Sequence, residues 1–200
     1  MRIFLDNDAK LMTVAEYALG AGRGFRNILC LTLGTGVGGG LIIEGQLYRG
    51  ADNAAGEIGH LPINEKGPTC NCGGWACLES YIGKDRISRE ARLAFGRMIS
   101  LEEMSSLAKR GDKRAKKIWR KVAYRLGVAL TGMTNLLNLD AFILGGGIAD
   151  AGTFFFQDIK AAIRKRAMSV QAQRVKVLKA RLGQEAGMVG AALLVREGVK

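Results

Sequence analysis

Three groups of residues in this sequence have types and spacings that could do chemistry. The first is a set of soft ligands: His60, Cys70, Cys72 and Cys77, one histidine and three cysteines within 18 residues. The sole histidine of the chain thus lies beside three of its four cysteines. A Cys₃His set is a standard tetrahedral site for structural zinc. Gly67, Gly73 and Gly74 supply the bends such a knuckle needs. Free buried thiols are the competing reading. The second group is acidic: Asp8, Glu57 and Glu79. Fixed carboxylates accept hydrogen bonds from hydroxyls and so suit a polyol. Asp8 follows Asn7 at the head of an expected helix, where a carboxylate could take a proton from a substrate hydroxyl or simply cap the helix. The third group is glycine-rich: Gly34-Thr35-Gly36-Val37-Gly38-Gly39-Gly40 and Gly145-Gly146-Gly147. Glycine lets the backbone approach phosphate oxygens, and its exposed N–H groups can form an anion nest. Thr35 adds a hydroxyl donor. No Gly-Lys-Ser/Thr follows, so this is not a Walker loop. A tight hairpin for the first segment, and a plain strand-to-helix turn for the second, are the structural alternatives.

The elements that must hold these groups follow from periodicity. Ile3–Leu5 reads as a strand end and Ala9–Gly22 as a helix. Asn27–Gly34 is an apolar strand, with Val37–Ile43 and Gln46–Tyr48 as two more around a turn at Glu44-Gly45. Ala54–Lys84 has weak periodicity and reads as a ligand-bearing insert, with a helix beginning near Cys77–Gly83. From Lys84 the pattern turns helical. Lys113–Leu137 is the longest such stretch, with Ile118, Val122, Leu126, Ala129, Leu130 and Met133 on one stripe. Then come a strand at Ala141–Leu144, a helix at Phe154–Met168, a strand at Val175–Leu178 and a helix at Gly187–Val195. Meander strands, a helical block, then strand–helix–strand–helix make an α/β domain with a mixed sheet. The order resembles the ribonuclease-H-like topology of actin-like kinases.

Composition narrows the partners. At 200 residues the chain can bury a substantial core. No apolar run reaches the roughly 18 residues a membrane helix needs, and the apolar start is too short for a signal peptide, so a cytoplasmic location is expected. In that compartment, clustered cysteines favour metal over disulfide. The net charge is +12, which raises the question of a polyanionic partner. The excess falls in Lys109–Arg125 and Lys160–Arg181, where apolar residues recur at helical spacing, so solvated helix faces explain it. Aromatics are only 6% and no nucleic-acid motif is present, which argues against nucleic acid as a partner.

Taken together, Asn7-Asp8-Ala9, Gly34-Thr35-Gly36-Val37-Gly38, Gly56-Glu57-Ile58-Gly59-His60 and Cys70-Asn71-Cys72-Gly73-Gly74-Trp75-Ala76-Cys77-Leu78-Glu79 resemble the ROK family (repressors, open reading frames, kinases). Leu144-Gly145-Gly146-Gly147 and Gly183–Ala192 fit its later glycine segments. The resemblance implies an actin-like ATPase fold of two lobes, with ATP and a sugar between them. It implies ATP-dependent phosphorylation of a hexose or N-acetylhexosamine, usually at the 6-hydroxyl, with Mg²⁺ on the phosphates. Asp8 takes the place of the catalytic base, and Asn7, Glu57, His60 and Glu79 those of sugar ligands. Gly34, Thr35 and Gly36 correspond to a phosphate loop, and Gly145 and Gly146 to the adenosine side. His60, Cys70, Cys72 and Cys77 correspond to a structural zinc site. On this reading residues 1–200 are the C-terminal lobe, with the zinc- and sugar-binding insert over about residues 54–84. The family's N-terminal lobe, with its Asp-x-Gly-Gly-Thr loop, has no counterpart in the sequence. That leads to the expectation of a complementary lobe or a homo-oligomer, and makes a sugar-sensing regulator or an inactive remnant the alternatives to a kinase. Ala76 stands where the family usually has glycine, which is tolerable unless φ is positive there. Lys10 replaces a frequent asparagine.

Overall fold

The computed structural model describes residue 3 and residues 5–198. The strand end read over Ile3–Leu5 includes Phe4, which lies outside the described residues. The first element is helix α1 (Asp8–Leu19), which starts one residue earlier than the pattern indicates and stops at Gly20. Three meander strands follow: β1 (Ile28–Leu33), β2 (Val37–Ile43) and β3 (Gln46–Tyr48). The last two have the bounds that the Glu44-Gly45 turn and the flanking glycines predict.

The insert then runs through a short 3₁₀ turn (Ile58–His60) to α2 (Leu78–Ile82) and α3 (Lys84–Phe95). Helices α4 (Leu101–Lys109) and α5 (Lys113–Leu137) complete the helical block. Strand β4 (Ala141–Gly145), helices α6 (Thr153–Arg166) and α7 (Ser169–Arg174), strand β5 (Lys176–Lys179) and helix α8 (Ala186–Gly198) finish the chain. Helix α7 is absent from the sequence-based reading, which runs a single helix to Met168. Its six residues are too few to show a period.

The sheet has five strands in the order β3-β2-β1-β4-β5. β1 pairs antiparallel with β2 and parallel with β4, and β5 is parallel to β4. The sheet is therefore mixed, as expected. Alternate residues of β1 feed two cores. Ile28 and Cys30 face α1 and α8, together with Ile42, Ala141 and Ile143. Leu29, Leu31 and Leu33 face the larger layer, where Trp119, Leu126 and Phe155 of α5 and α6 pack. Burial of roughly 1.5–3 kcal/mol per large apolar side chain holds each layer to the sheet. The stripe read on α5 is the buried face of that helix, with Met133 half-buried. Its cations lie mostly on the outer side, where Lys121 reaches Glu90 and Arg120 approaches Asp158.

Two features set the site's position. First, β2 carries Gly38, Gly39 and Gly40 at its centre. A Cβ at Gly38 would lie 2.9 Å from the Ala9 Cβ, and one at Gly40 2.2 Å from the Thr13 hydroxyl. On the opposite face, a Cβ at Gly39 would lie 2.5 Å from the Gly56 carbonyl. The glycines thus let α1 and the turn before Glu57 both seat directly on the strand. Second, β1 and β4 are parallel neighbours, so the turns leaving their carboxyl ends, Gly34–Gly36 and Gly145–Gly147, lie side by side. Gly146 has φ +85, and its α-carbon packs so close to Leu33 that a Cβ would lie 2.3 Å from that residue's carbonyl oxygen.

Candidate functional site

At the head of α1 the two adjacent polar residues divide the work. Asn7 is the N-cap, its Oδ1 accepting from the Ala9 N–H at 2.9 Å and the Lys10 N–H at 3.3 Å. Asp8 occupies the first helical position, exposed, and among the described residues its carboxylate accepts only from the Ala9 N–H, at 2.7 Å through Oδ1. Capping, the structural alternative for Asp8, thus falls chiefly to Asn7. Asn7 keeps its amide N–H₂ free of protein partners among the described residues.

Residues that carried no local signal hold this segment in place. The Asp6 carboxylate is almost wholly buried, pairs with Arg49 at 2.7 Å and accepts from the Asn7 N–H at 2.9 Å. Arg49 donates to the Asn53 side chain at 2.9 Å, and the buried Lys10 ammonium donates to the Asn53 carbonyl. The polar chain Asp6–Arg49–Asn53–Lys10 ties the start of α1 to the loop that leads into Glu57.

The Gly34–Gly36 turn is narrower as an anion nest than the sequence suggests. The Gly34 N–H bonds the Gly36 carbonyl at 3.0 Å, and the Val37 N–H bonds Glu79 Oε2 at 2.8 Å. Among the described residues the N–H groups of Thr35 and Gly36 and the Thr35 hydroxyl remain without partners. These are the three donors available to an oxyanion. Thr35 and Glu79 line a common cleft of about 460 Å³, with Arg86 and Arg89 on its far side and Cys70 on the knuckle side. Glu57 and His60 line a second, more apolar groove against Met133 and Leu137 of α5. Among the described residues Asp8, Glu57 and Glu79 make no ion pair with any cation, although the chain carries 30 lysines and arginines.

The soft-ligand set closes into one cluster. The ligand atoms of His60, Cys70, Cys72 and Cys77 all lie within 4.8 Å of one another. His60 Nδ1 is 3.6 Å from Cys70 Sγ, and Cys72 Sγ is 3.8 Å from Cys77 Sγ. A tetrahedral ion with Zn–S of about 2.3 Å and Zn–N of about 2.0 Å sets sulfurs about 3.8 Å apart and sulfur and nitrogen about 3.5 Å apart. The donor set and its spacing therefore fit zinc. Burial pushes the Cys77 thiol up to about 12, while the Gly74 N–H, followed by Cys70, holds Cys72 below the ordinary thiol range. Ala76 has φ +57, so the left-handed conformation that glycine would occupy freely is here imposed on an alanine. Backbone bonds from Ala76 N–H to Pro68 and from Cys70 N–H to Gly74, both 2.8 Å, brace the knuckle. Cys77 then serves as the N-cap residue of α2, and Glu79 sits in its first turn.

Helix α2 is in turn fixed by Arg125, whose guanidinium stacks on the Tyr81 ring at 4.8 Å and donates to the Tyr81 carbonyl at 3.1 Å. Arg125 also meets Glu90, which receives Arg86 and Lys121 as well. Burial raises the Glu90 carboxyl, but the Lys121 ammonium, with Arg125 and Arg86, outweighs it and holds the group below its usual range.

Comparison with known proteins follows the same lines. A glucokinase of Halalkalibacterium halodurans is 34% identical over 98% of this chain and 64% of its own length. The chain thus spans just under two thirds of that relative. The crystal structure of a ROK family glucokinase from Streptomyces griseus, in complex with glucose and AMPPNP, superposes with a TM-score of 0.91 at 33% identity, covering 99% of this chain and 69% of that one. The DNA-binding transcriptional repressor Mlc of Escherichia coli is 29% identical over 96% of this chain but only 50% of its own length. The model of the ROK family matches residues 1–198, and the chain belongs to that family.

Proposed function

We propose that the chain is the lobe of an ATP-dependent sugar kinase that carries the acceptor site and the base. The observation that carries this reading is the division of labour at α1: Asn7 caps the helix, which leaves the neighbouring Asp8 carboxylate exposed and, among the described residues, without a cation partner. The resemblance to glucokinases over nearly the whole chain supports it. The acceptor is a hexose or N-acetylhexosamine, with the 6-hydroxyl as the reacting group. Asp8 accepts the hydroxyl proton as the sugar oxygen attacks the γ-phosphorus and ADP leaves. Glu57, Glu79 and the Asn7 amide take hydrogen bonds with the sugar. Thr35 and Gly36 donate to the phosphates, beside the Gly145-Gly146 turn, which borders the adenosine. Mg²⁺ supplies neutralisation of phosphate charge when bound. Zinc held by His60, Cys70, Cys72 and Cys77 is structural. Ligation through His60 Nδ1 fixes the tautomer and leaves Nε2–H to donate to a sugar hydroxyl. A complementary lobe, or a second copy of the chain, closes the nucleotide side.

A second reading, a sugar-responsive regulator, draws support from the match to Mlc and to the xylose repressors. One assay separates the two. ADP release is followed with ATP, Mg²⁺ and a panel of hexoses and N-acetylhexosamines, for the wild type and for Asp8→Asn. Sugar-dependent turnover that falls by roughly 10²–10⁴-fold in the variant, with sugar affinity retained, is the expected result. Sugar binding without turnover favours the regulator. Turnover unchanged in Asp8→Asn removes Asp8 as the base.

A further inference from the structure

The resemblance makes Glu79 a sugar ligand, and ligand duty does not account for where its carboxylate points. Oε2 accepts from the Val37 N–H at 2.8 Å, across 42 residues of sequence. Val37 is the first residue of β2 and closes the Gly34–Gly36 turn. We propose that Glu79 is a positioning residue for that turn: its carboxylate fixes the arc on which the Thr35 and Gly36 N–H groups are presented to phosphate. The nucleotide part of this inference rests on the kinase reading; the positioning of the turn does not.

Three further observations converge on the same joint. The Lys84 N–H donates to the Gly34 carbonyl at 3.0 Å, so the α2–α3 junction grips the other end of the turn. Gly83 packs against it closely enough that a Cβ there would lie 3.0 Å from the Thr35 carbonyl. A Cβ on Gly36 would lie 2.6 Å from Glu79 Oε2. Gly36 carries no positive φ, so its lack of a side chain answers to the space Glu79 occupies rather than to backbone conformation. An alanine there fits the backbone and displaces the flexible carboxylate, breaking the bond to Val37 from the opposite side.

The carboxylate therefore has two tasks on two oxygens. Oε2 holds the turn, and Oε1 has no protein partner among the described residues and stays available to a hydroxyl. Because Cys77 is the N-cap residue of α2, two residues before Glu79, the joint also links the knuckle to the turn through one side-chain hydrogen bond. A hydrogen bond to an ionised group contributes roughly 1.5–3 kcal/mol, so its loss weakens an ordered anion site by roughly tenfold or more.

The test compares Glu79→Ala, Glu79→Gln and Gly36→Ala with the wild type. Two quantities are read: hydrogen exchange at the Val37 amide in the ligand-free protein, and affinity for AMPPNP with Mg²⁺ in the absence of sugar. Thermal melts of the same samples check folding. Glu79→Ala and Gly36→Ala are each expected to lose protection at Val37 and about tenfold in nucleotide affinity. Their double variant is expected to lose no more than either alone, because both break one bond. Glu79→Gln retains an acceptor oxygen and is expected to keep most of both. A residue that served only the sugar would leave sugar-free nucleotide binding unchanged. Retained Val37 protection in Glu79→Ala overturns the proposal, as does additivity of the two alanine variants. Val37 protection lost in Glu79→Ala, where the wild type itself binds no nucleotide, upholds the positioning of the turn and overturns its role toward nucleotide.

Discussion

Glu16 is a buried carboxylate whose removal has a calculable effect. It is fully buried in α1 and makes no ion pair among the described residues. Its Oε2 accepts from the Ala21 N–H at 2.8 Å. Its Oε1 accepts from the Arg181 and Leu182 N–H groups at 2.8 and 2.7 Å, across 165 and 166 residues of sequence. One side chain thus pins the end of α1 to the corner between β5 and α8. Hydrogen bonds to charged groups contribute roughly 1.5–3 kcal/mol each when buried. The Arg181 and Leu182 backbone lies nearer solvent, so water recovers part of their loss, and about 1 kcal/mol apiece is the better value there. Glu16→Ala should therefore cost roughly 3 kcal/mol, after a few tenths regained from the better helix propensity of alanine. Glu16→Gln keeps one acceptor oxygen. Turned toward Arg181 and Leu182, it preserves two bonds and sets an amide N–H₂ against the Ala21 N–H, at a cost of roughly 1.5 kcal/mol. Urea unfolding with linear extrapolation measures both values. Amide exchange at Ala21 should speed up in both variants, and at Arg181 and Leu182 only in the alanine variant. An alanine variant within 1 kcal/mol of wild type, or a glutamine variant as costly as alanine, would refute the reasoning.

Other expectations follow from the same structure. Elemental analysis of protein purified without chelator should find one zinc per chain, and removing it should lower Tm by roughly 10 °C, a loss of several kcal/mol at this size; a metal-free, equally stable protein contradicts the ligand assignment. Glu90→Gln should cost about 1 kcal/mol at pH 7, since one carboxylate answers three cations. The Glu90 carboxyl is held low in the fold, so its contribution is present above the unfolded-state value near 4.3 and lost as pH falls below it. The two proteins should then converge in stability in acid, and a gap that persists at pH 2 argues against the ionic origin. Gly146→Ala should cost roughly 3 kcal/mol, because a Cβ would meet the Leu33 backbone at a positive φ; calorimetry showing less than 1 kcal/mol would contradict that packing.

The features legible in the sequence are those whose cause is local. Val37–Ile43 and Lys113–Leu137 emerge with the observed bounds because the turns that flank a strand and the 3.6-residue stripe are properties of neighbouring residues. His60 and the three cysteines declare themselves through scarcity and spacing. What escaped depends on distant partners. Nothing near Glu16 foretells Arg181, and nothing near Glu79 foretells Val37. Lys10 shows in the sequence only as a departure from a frequent asparagine; that the fold buries it and sets the Asn53 carbonyl against its ammonium is not visible there. The strand over Val37–Ile43 is legible, but the reason for its three glycines is not: Cβ atoms at Gly38, Gly39 and Gly40 would meet Ala9, the Gly56 carbonyl and Thr13, which pack on its two faces.

That last arrangement bears on how the site can change. Where Gly38, Gly39 and Gly40 cross between α1 and the Gly56 turn, β2 contributes no side chain of its own and is only one backbone thick. A shift of α1 is therefore transmitted to the Glu57 turn with nothing compressible in between. Substitutions cannot retune one side of this lamina alone. On the proposed kinase reading, variation in acceptor preference would come from the residues at its rim, in the 49–56 loop and the knuckle, while the spacing of the two walls stays constant.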